Sequence, residues 1–256
     1  MRERTEKLTI QAFRAVDHRE HVIRYIVEHH RVLEDIGVTS ALKMDYGWCM
    51  DPRTVVVVAL HEELGMVGGC RLEFAHAHRK LPIYQHLRPL EPELDTKLGD
   101  LVGAHGAELA GLWVAHRFSG NGIPWYLTAA AVSVLDRIEV GDVLCFAAEY
   151  TRKYAMQNGF EALTTIGDGG RVDFPIPGIS SYALVNRNAG SLAKAMATEK
   201  DRLLSLRREP EQVRLESTYE RPLEVTYRLH MDRKMTPLIP LHANLQAPGM
   251  LRRRSA

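Results

Sequence analysis

Between Arg117 and Gly122 the chain reads Arg-Phe-Ser-Gly-Asn-Gly, an arginine followed at fixed spacing by two glycines. Glycines there let backbone N–H groups approach a bound anion closely, and a helix starting at once adds the positive end of its dipole. The flanks fit that use. Ala107 to His116 is an apolar run that predicts a strand, and Ile123 to Ile138 predicts an Ala/Val/Leu-rich helix. Pro124 falls in its first turn, where a missing N–H costs nothing. Strand, glycine turn and helix in this order build a cradle for a diphosphate. An ordinary strand–helix turn of an α/β protein is the other reading of the same six residues.

Other chemistry-bearing residues are more scattered. Arg71 stands near the end of a strand predicted over Met66 to Phe74. It can hold a carboxylate in a bidentate pair or sit in a surface ion pair. His76-x-His78 would need further ligands to bind a metal, and none stands at suitable spacing, so no metal is expected. Cys49, Cys70 and Cys145 are too widely spaced for a disulfide framework or a zinc pattern. Cys70 and Cys145 read as small core residues of strands.

The elements that must position these residues follow from periodicity. Leu8 to Val16 predicts a strand, and Asp17-His-Arg-Glu20 a capping box opening a helix with Val22, Ile23, Ile26, Leu33 and Ile36 on its apolar side. His29-His30 falls on the solvated face of that helix, and Gly37 stops it. Thr54 to Leu60 and Met66 to Phe74 form a hairpin around Glu62–Gly65. Residues 75–106 are rich in Pro, His and charge, with a short helical piece at Glu93 to Leu101. Val143 to Ala148 predicts a strand, Tyr150 to Asn158 a helix, and Gly159 its left-handed cap before a strand opening at Phe160. The helix between the strands at 107–116 and 143–148 makes those two parallel neighbours.

The character changes near residue 188. A helix is expected from Asn188 to about Arg208, then a strand at Leu223 to Met231, then a proline-punctuated tail ending in Arg252-Arg253-Arg254, read as a solubilising end. This divides the chain into a domain at 1–187 and an accessory segment at 188–256.

Hydrophobic residues make up 45% of the 256, enough for a sizeable core, while a net charge of +1 argues against a dedicated nucleic-acid binder. The first residues lack the apolar run of a signal peptide, and no stretch is long and apolar enough to span a bilayer. A cytoplasmic protein is the expectation.

Arg117-Phe118-Ser119-Gly120-Asn121-Gly122 resembles the Gln/Arg-x-x-Gly-x-Gly/Ala motif of the GNAT (Gcn5-related) N-acyltransferase superfamily. Three further matches resemble its acyl-homoserine-lactone synthase and N-acyl amino acid synthase branch. Glu108-Leu-Ala-Gly-Leu-Trp-Val114 is similar to the Glu-x-Ser-Arg-Phe-x-Val strand of that group, with Ala110 and Gly111 in place of its Ser and Arg. Gly69-Cys70-Arg71-Leu72, followed by Leu81-Pro82, resembles the end of its third strand. Gly159-Phe160, Ile166-Gly167 and Gly170 to Pro175 resemble its closing segment. The likeness spans roughly residues 8–187. It implies a mixed, mainly antiparallel twisted α/β sheet flanked by helices, with an accessory C-terminal helix and tail.

The resemblance also implies a chemistry. An acyl group would pass from acyl-CoA, or from an acyl carrier protein, to a primary amine, with an amino acid as one acceptor. Arg117, Ser119, Gly120, Asn121 and Gly122 would hold the donor's diphosphate, and the backbone N–H of Val114 would polarise the thioester carbonyl. Glu108, a carboxylate at the entrance of an apolar strand, would take the amine's proton, its pKa raised by burial. Tyr154, five residues before Gly159, would protonate the departing thiolate, with Tyr150 a turn earlier as the alternative. Arg71 would meet an acceptor carboxylate, and Trp48, Trp113 and Trp125 can either line an acyl tunnel or pack in the core as aromatic residues of strands and helices mostly do. The synthases carry an N-terminal Arg…Phe…Trp…Asp…Asp pattern associated with S-adenosylmethionine. Arg31, Asp45, Trp48 and Asp51 echo it only loosely, which points to a different amine. An acetyl-CoA-dependent acetyltransferase, a lactone-type signal synthase and a non-catalytic thioester-binding scaffold stay open, as does a homodimer.

Overall fold

The computed structural model describes residues 6–76, 79–99, 101, 105–138, 140–217 and 222–231. Strand β1, Glu6–Arg14, alternates so that Leu8, Ile10 and Ala12 enter the main core while Phe13 packs on the opposite face. Helix α1, Arg19–Ile36, begins later than a capping box at Asp17 would place it. Asp17 is drawn back to Arg14, whose Nε donates to it at 2.7 Å, and His18 stands at the N-cap without a side-chain bond. Gly37 ends the helix in the left-handed region at φ +78, as its type predicts.

Strands β2, Val55–His61, and β3, Gly65–Phe74, form the expected antiparallel hairpin. Two short helices follow, α2, Pro82–Leu87, and α3, Leu94–Leu98. Then come β4, Ala107–Val114; α4, Ile123–Val134; β5, Val143–Ala148; and α5, Glu149–Gln157. Strands β6, Glu161–Ala162, β7, Arg171–Asp173, and β8, Ser180–Asn186, close this part. The sheet runs β6-β8-β5-β4-β3-β2-β1 and continues through β10, Leu223–Arg228, to β9, Glu211–Glu216, with β7 also on β8. The pairs β4/β5 and β1/β10 are parallel, the first joined by crossover helix α4 as predicted. The remaining described pairs are antiparallel.

Helix α4 is apolar nearly all round, and Ala129, Ala130 and Ala131 are fully buried, so the small residues let it lie close on the sheet. Beyond residue 188 the expected helix starts at Ala197 rather than Asn188. Asn188 is itself left-handed at φ 51, and residues 189–191 make a 3-10 turn before α6, Ala197–Arg208. Leu203 and Leu206 seat α6 in the main core, each burial stabilising by roughly 1.5–3 kcal/mol. Arg207 Nη1 also donates to the Gly190 carbonyl at 2.6 Å. Strand β9 had no sequence signature because it is an edge strand whose apolar residues, Val213 and Leu215, face outward. The tail from residue 232, with Arg252-Arg253-Arg254, and His78 lie outside the described residues. Among the described residues no helix is long and apolar enough to cross a membrane.

Candidate active site

The middle of the sheet opens. Strands β4 and β5 pair from Ala107/Val143 to Leu109/Cys145 and then part, although β4 runs on to Val114 and β5 stays paired with β8 as far as Ala148. A bulge in β4 accompanies the parting. Gly69 pairs with Trp113 and Arg71 with Ala110, so Gly111 and Leu112 together face Cys70. Gly111 has φ +59, a conformation that disfavours any side chain. A Cβ there would overlap Nη1 of Arg71 and lie 2.6 Å from the Tyr25 hydroxyl. Past the bulge, the Ala115 N–H donates to Val67 O at 2.8 Å. The alternation of an antiparallel strand therefore directs the Val114 N–H away from β3, toward the gap.

Glu108 sits at the inner end of the gap, 2% exposed. Its Oε2 accepts the N–H of Ile83 at 2.7 Å, one of the donors that the first turn of α2 leaves without an intrahelical partner. Burial pushes its carboxyl up to about 8; the Ile83 bond opposes this, neighbouring Glu73 adds to it, and Arg71 opposes it. Glu73 is its direct cross-strand partner. That second carboxylate is ion-paired on both oxygens, with Arg71 Nε at 2.7 Å and Arg79 Nη2 at 2.9 Å. Arg79 also reaches Asp45 at 2.9 Å, tying the segment after α1 to β3. Two adjacent carboxylates thus stand in contrasting surroundings, one charge-compensated and one inclined to hold its proton to neutral pH.

A cavity of about 240 Å³ passes through the gap. Glu108, Arg71, Tyr25 and His29 give it a polar flank, and Ile26, Leu33, Ile36, Phe146, Phe174 and Ile179 an apolar one. His29 corrects the expectation of a solvated pair. It faces the cavity, and burial, then Arg71, hold its imidazole down to about 3, so it is neutral; His30 alone turns out, to Glu34 at 3.3 Å. Arg71 lies over Trp48, 4.9 Å from the ring centroid. Of the three tryptophans only Trp48 lines the cavity. Trp113 packs against Tyr25 and His29, and Trp125 lies under Arg202, so neither forms the tunnel wall. On α5, Tyr150 and Thr151 line the cavity, whereas Tyr154 does not.

The loop after β4 takes the shape its glycines predict. Gly120 and Gly122 have φ +84 and +77, and Gly122 is the N-cap of α4. The N–H groups of Gly120, Gly122 and Ile123 have no hydrogen-bond partner among the described residues. Three donors at a helix N-terminus can hold an anion. Arg117 is exposed above this loop, its guanidinium 5.5 Å from the Phe118 ring; Ser119 is exposed and Asn121 half-buried beside it. The loop does not line the cavity. It follows the gap along β4, while Thr128, farther along α4, reaches the cavity wall.

Asp45 lines the cavity beside Trp48, but Arg31 pairs with Glu28 on the surface, and Asp51 binds Arg53 and His76. Among the described residues no group of His, Cys, Asp and Glu could hold a metal. Sequence reasoning missed Tyr25, Glu73 and Arg79. Arg71-x-Glu73 was legible as two residues of one strand face, but Tyr25 gains its role only through long-range contacts, and Arg79 by turning back from the loop after β3 onto Glu73 and across to Asp45.

No family model and no curated protein matches the sequence. Among solved structures, the CoA-dependent acyl-homoserine lactone synthase BjaI with SAM and isopentyl-CoA superposes with a TM-score of 0.54 at 17% identity, over 77% of this chain and 89% of that one. BjaI with MTA gives 0.50 at 20% identity, over 77% and 89%. FeeM, an N-acyl amino acid synthase from uncultured soil microbes, gives 0.50 at 10% identity, over 77% of this chain and 99% of its own. The parted strands, the bulge, the glycine loop and these superpositions lead to one conclusion: the chain has the fold of the GNAT N-acyltransferases.

Proposed function

We propose that the chain is an N-acyltransferase that moves an acyl group from an acyl thioester to a primary amine, with an amino acid as acceptor. The observation that carries this reading is Glu108, a carboxyl buried beside a cavity at the point where the sheet parts, which burial pushes up to about 8. The N–H groups of Gly120, Gly122 and Ile123 would take the diphosphate of coenzyme A, with Arg117, Ser119 and Asn121 around it. The pantetheine arm would enter the gap and place the thioester carbonyl against the Val114 N–H. Ionised Glu108 would take a proton from the amine as the C–N bond forms. The tetrahedral intermediate would then collapse and release the thiolate. Tyr154 is the acid inferred from the sequence; Tyr150, at the cavity wall, is the closer alternative.

Arg71 supports an acceptor that carries a carboxylate. Its Nε and Nη1 are engaged by Glu73 and Tyr25, while Nη2 has no partner among the described residues, and the residue lines the cavity. The apolar flank supports a donor longer than acetyl, which would leave that wall unused. An acyl carrier protein could deliver the same thioester to the gap. Binding without turnover is the alternative that the cavity and loop also allow.

The test is thiol release from acetyl-, octanoyl- and palmitoyl-CoA, and from the matching acyl carrier proteins, offered with mixed amino acids. Release that depends on both donor and amine, with an N-acyl product by mass spectrometry, supports the reading. Donor binding without release from any of them would leave the scaffold as the better account.

A further inference from the structure

Tyr25 has no part in the chemistry above, yet it is 0% exposed and its hydroxyl meets two groups at the gap. The hydroxyl donates to the carbonyl oxygen of Gly111, and Nη1 of Arg71 lies 3.5 Å away as a donor to it. The ring is held edge-on by Trp48 and Trp113, at 5.6 and 5.9 Å between centroids, so its direction is set by packing. Gly111 is the first of the two bulge residues, at φ +59. Its carbonyl takes a donor from another element, the Tyr25 hydroxyl of α1.

We propose that Tyr25 is a positioning residue for acyl transfer: its bond to Gly111 fixes the bulge peptide, and with it the direction of the Leu112–Val114 amides and the place of Arg71. The kinetic consequence rests on the transfer reading, whereas the structural consequence does not. Burial holds the Tyr25 phenol well above its ordinary value, with Arg71 opposing, so the hydroxyl remains a donor throughout the working pH range. Gly111 completes the unit, because any side chain there would displace both the hydroxyl and the guanidinium.

The experiment is Tyr25→Phe, which removes one oxygen and keeps the ring. We expect kcat to fall roughly 10- to 100-fold, as misplacement of reacting groups does. The acyl-CoA KM should stay within about twofold, the mark of an interaction made in the transition state. Backbone amide exchange at Leu112–Val114 should rise. A loss of melting temperature with unchanged kcat would mean that Tyr25 is only part of the core, and would overturn the proposal. If the Phe variant does not fold, 3-fluorotyrosine at position 25 retains shape and hydroxyl while altering its donor strength. A kcat unchanged by that replacement would likewise overturn it. If the wild type releases no thiol with any donor and amine, the transfer reading fails by itself. Amide exchange then decides the structural claim, and equal exchange in the wild type and Tyr25→Phe sinks it.

Discussion

Replacing Glu108 by Gln removes the charge and proton but keeps an oxygen that can accept the Ile83 N–H, so the first turn of α2 stays satisfied. Losing a general base costs about 10²- to 10⁴-fold in kcat. The pH dependence is the sharper test. With the carboxyl pushed from 4.5 to about 8, the wild-type rate should climb with pH and level off above about 8; the Gln variant should lose that limb. Stability carries the same signature with the opposite slope. The folded chain keeps this proton to higher pH than the unfolded chain does, so its contribution is full below 4.5, declines as pH rises, and is flat above about 8. If the whole shift came through, the decline would total on the order of 5 kcal/mol, and the Gln variant would not show it. Stopped-time thiol release at pH 6 to 9.5, with two acceptor amines of different basicity, separates the enzyme's limb from the amine's, and urea unfolding over the same range reads the stability. A limb near 8 that persists in Glu108→Gln and moves with the amine would refute the assignment.

Gly111→Ala forces a left-handed φ on an L side chain and intrudes on Arg71 and Tyr25, so urea unfolding should show a loss of about 2–5 kcal/mol. Gly122→Val should raise the acyl-CoA Kd about tenfold or more by calorimetry, because a β-branched residue resists φ +77 at the N-cap. Arg71→Gln should raise KM for an amino-acid acceptor while changing KM for its amide far less, as steady-state kinetics with the two acceptors would show. Leu206→Ala should cost about 2–5 kcal/mol in unfolding free energy with kcat unchanged, since it loosens α6 from α4 away from the gap.

Much of this arrangement was legible in the chain. The hairpin, the crossover helix and the glycine loop each have a local cause, either period-two apolarity, a glycine at positive φ or a proline at a helix start. The carboxylate at the head of β4 could be picked out because it interrupts an apolar run. The departures occur where local signals compete with tertiary ones. Asp17 has the composition of a cap but finds Arg14 closer, and Val213 and Leu215 read as noise because they face outward on an edge strand. His29 shares a sequence pair with a surface residue, and only the packing of one face of α1 onto β3 and β4 separates their environments. Tyr25 and Arg79 were invisible as functional residues for a related reason. Tyr25 acts on Gly111 from another element, and Arg79 joins Glu73, near it in the chain, to Asp45, far from it, and no spacing rule encodes either arrangement.

The parallel pairing of β10 with β1 has a consequence for the order in which the protein can form. Strand β1 leaves the ribosome before its neighbour on one side, at Leu223–Arg228, which emerges only after the strands between them have been made. Until then Leu8, Ile10 and Ala12 belong to an open edge of a growing sheet, a site for mispairing with other nascent chains. The slow, non-local closure of that seam should therefore govern refolding yield more than the gap, and a chaperone that shields Glu6–Arg14 would raise it.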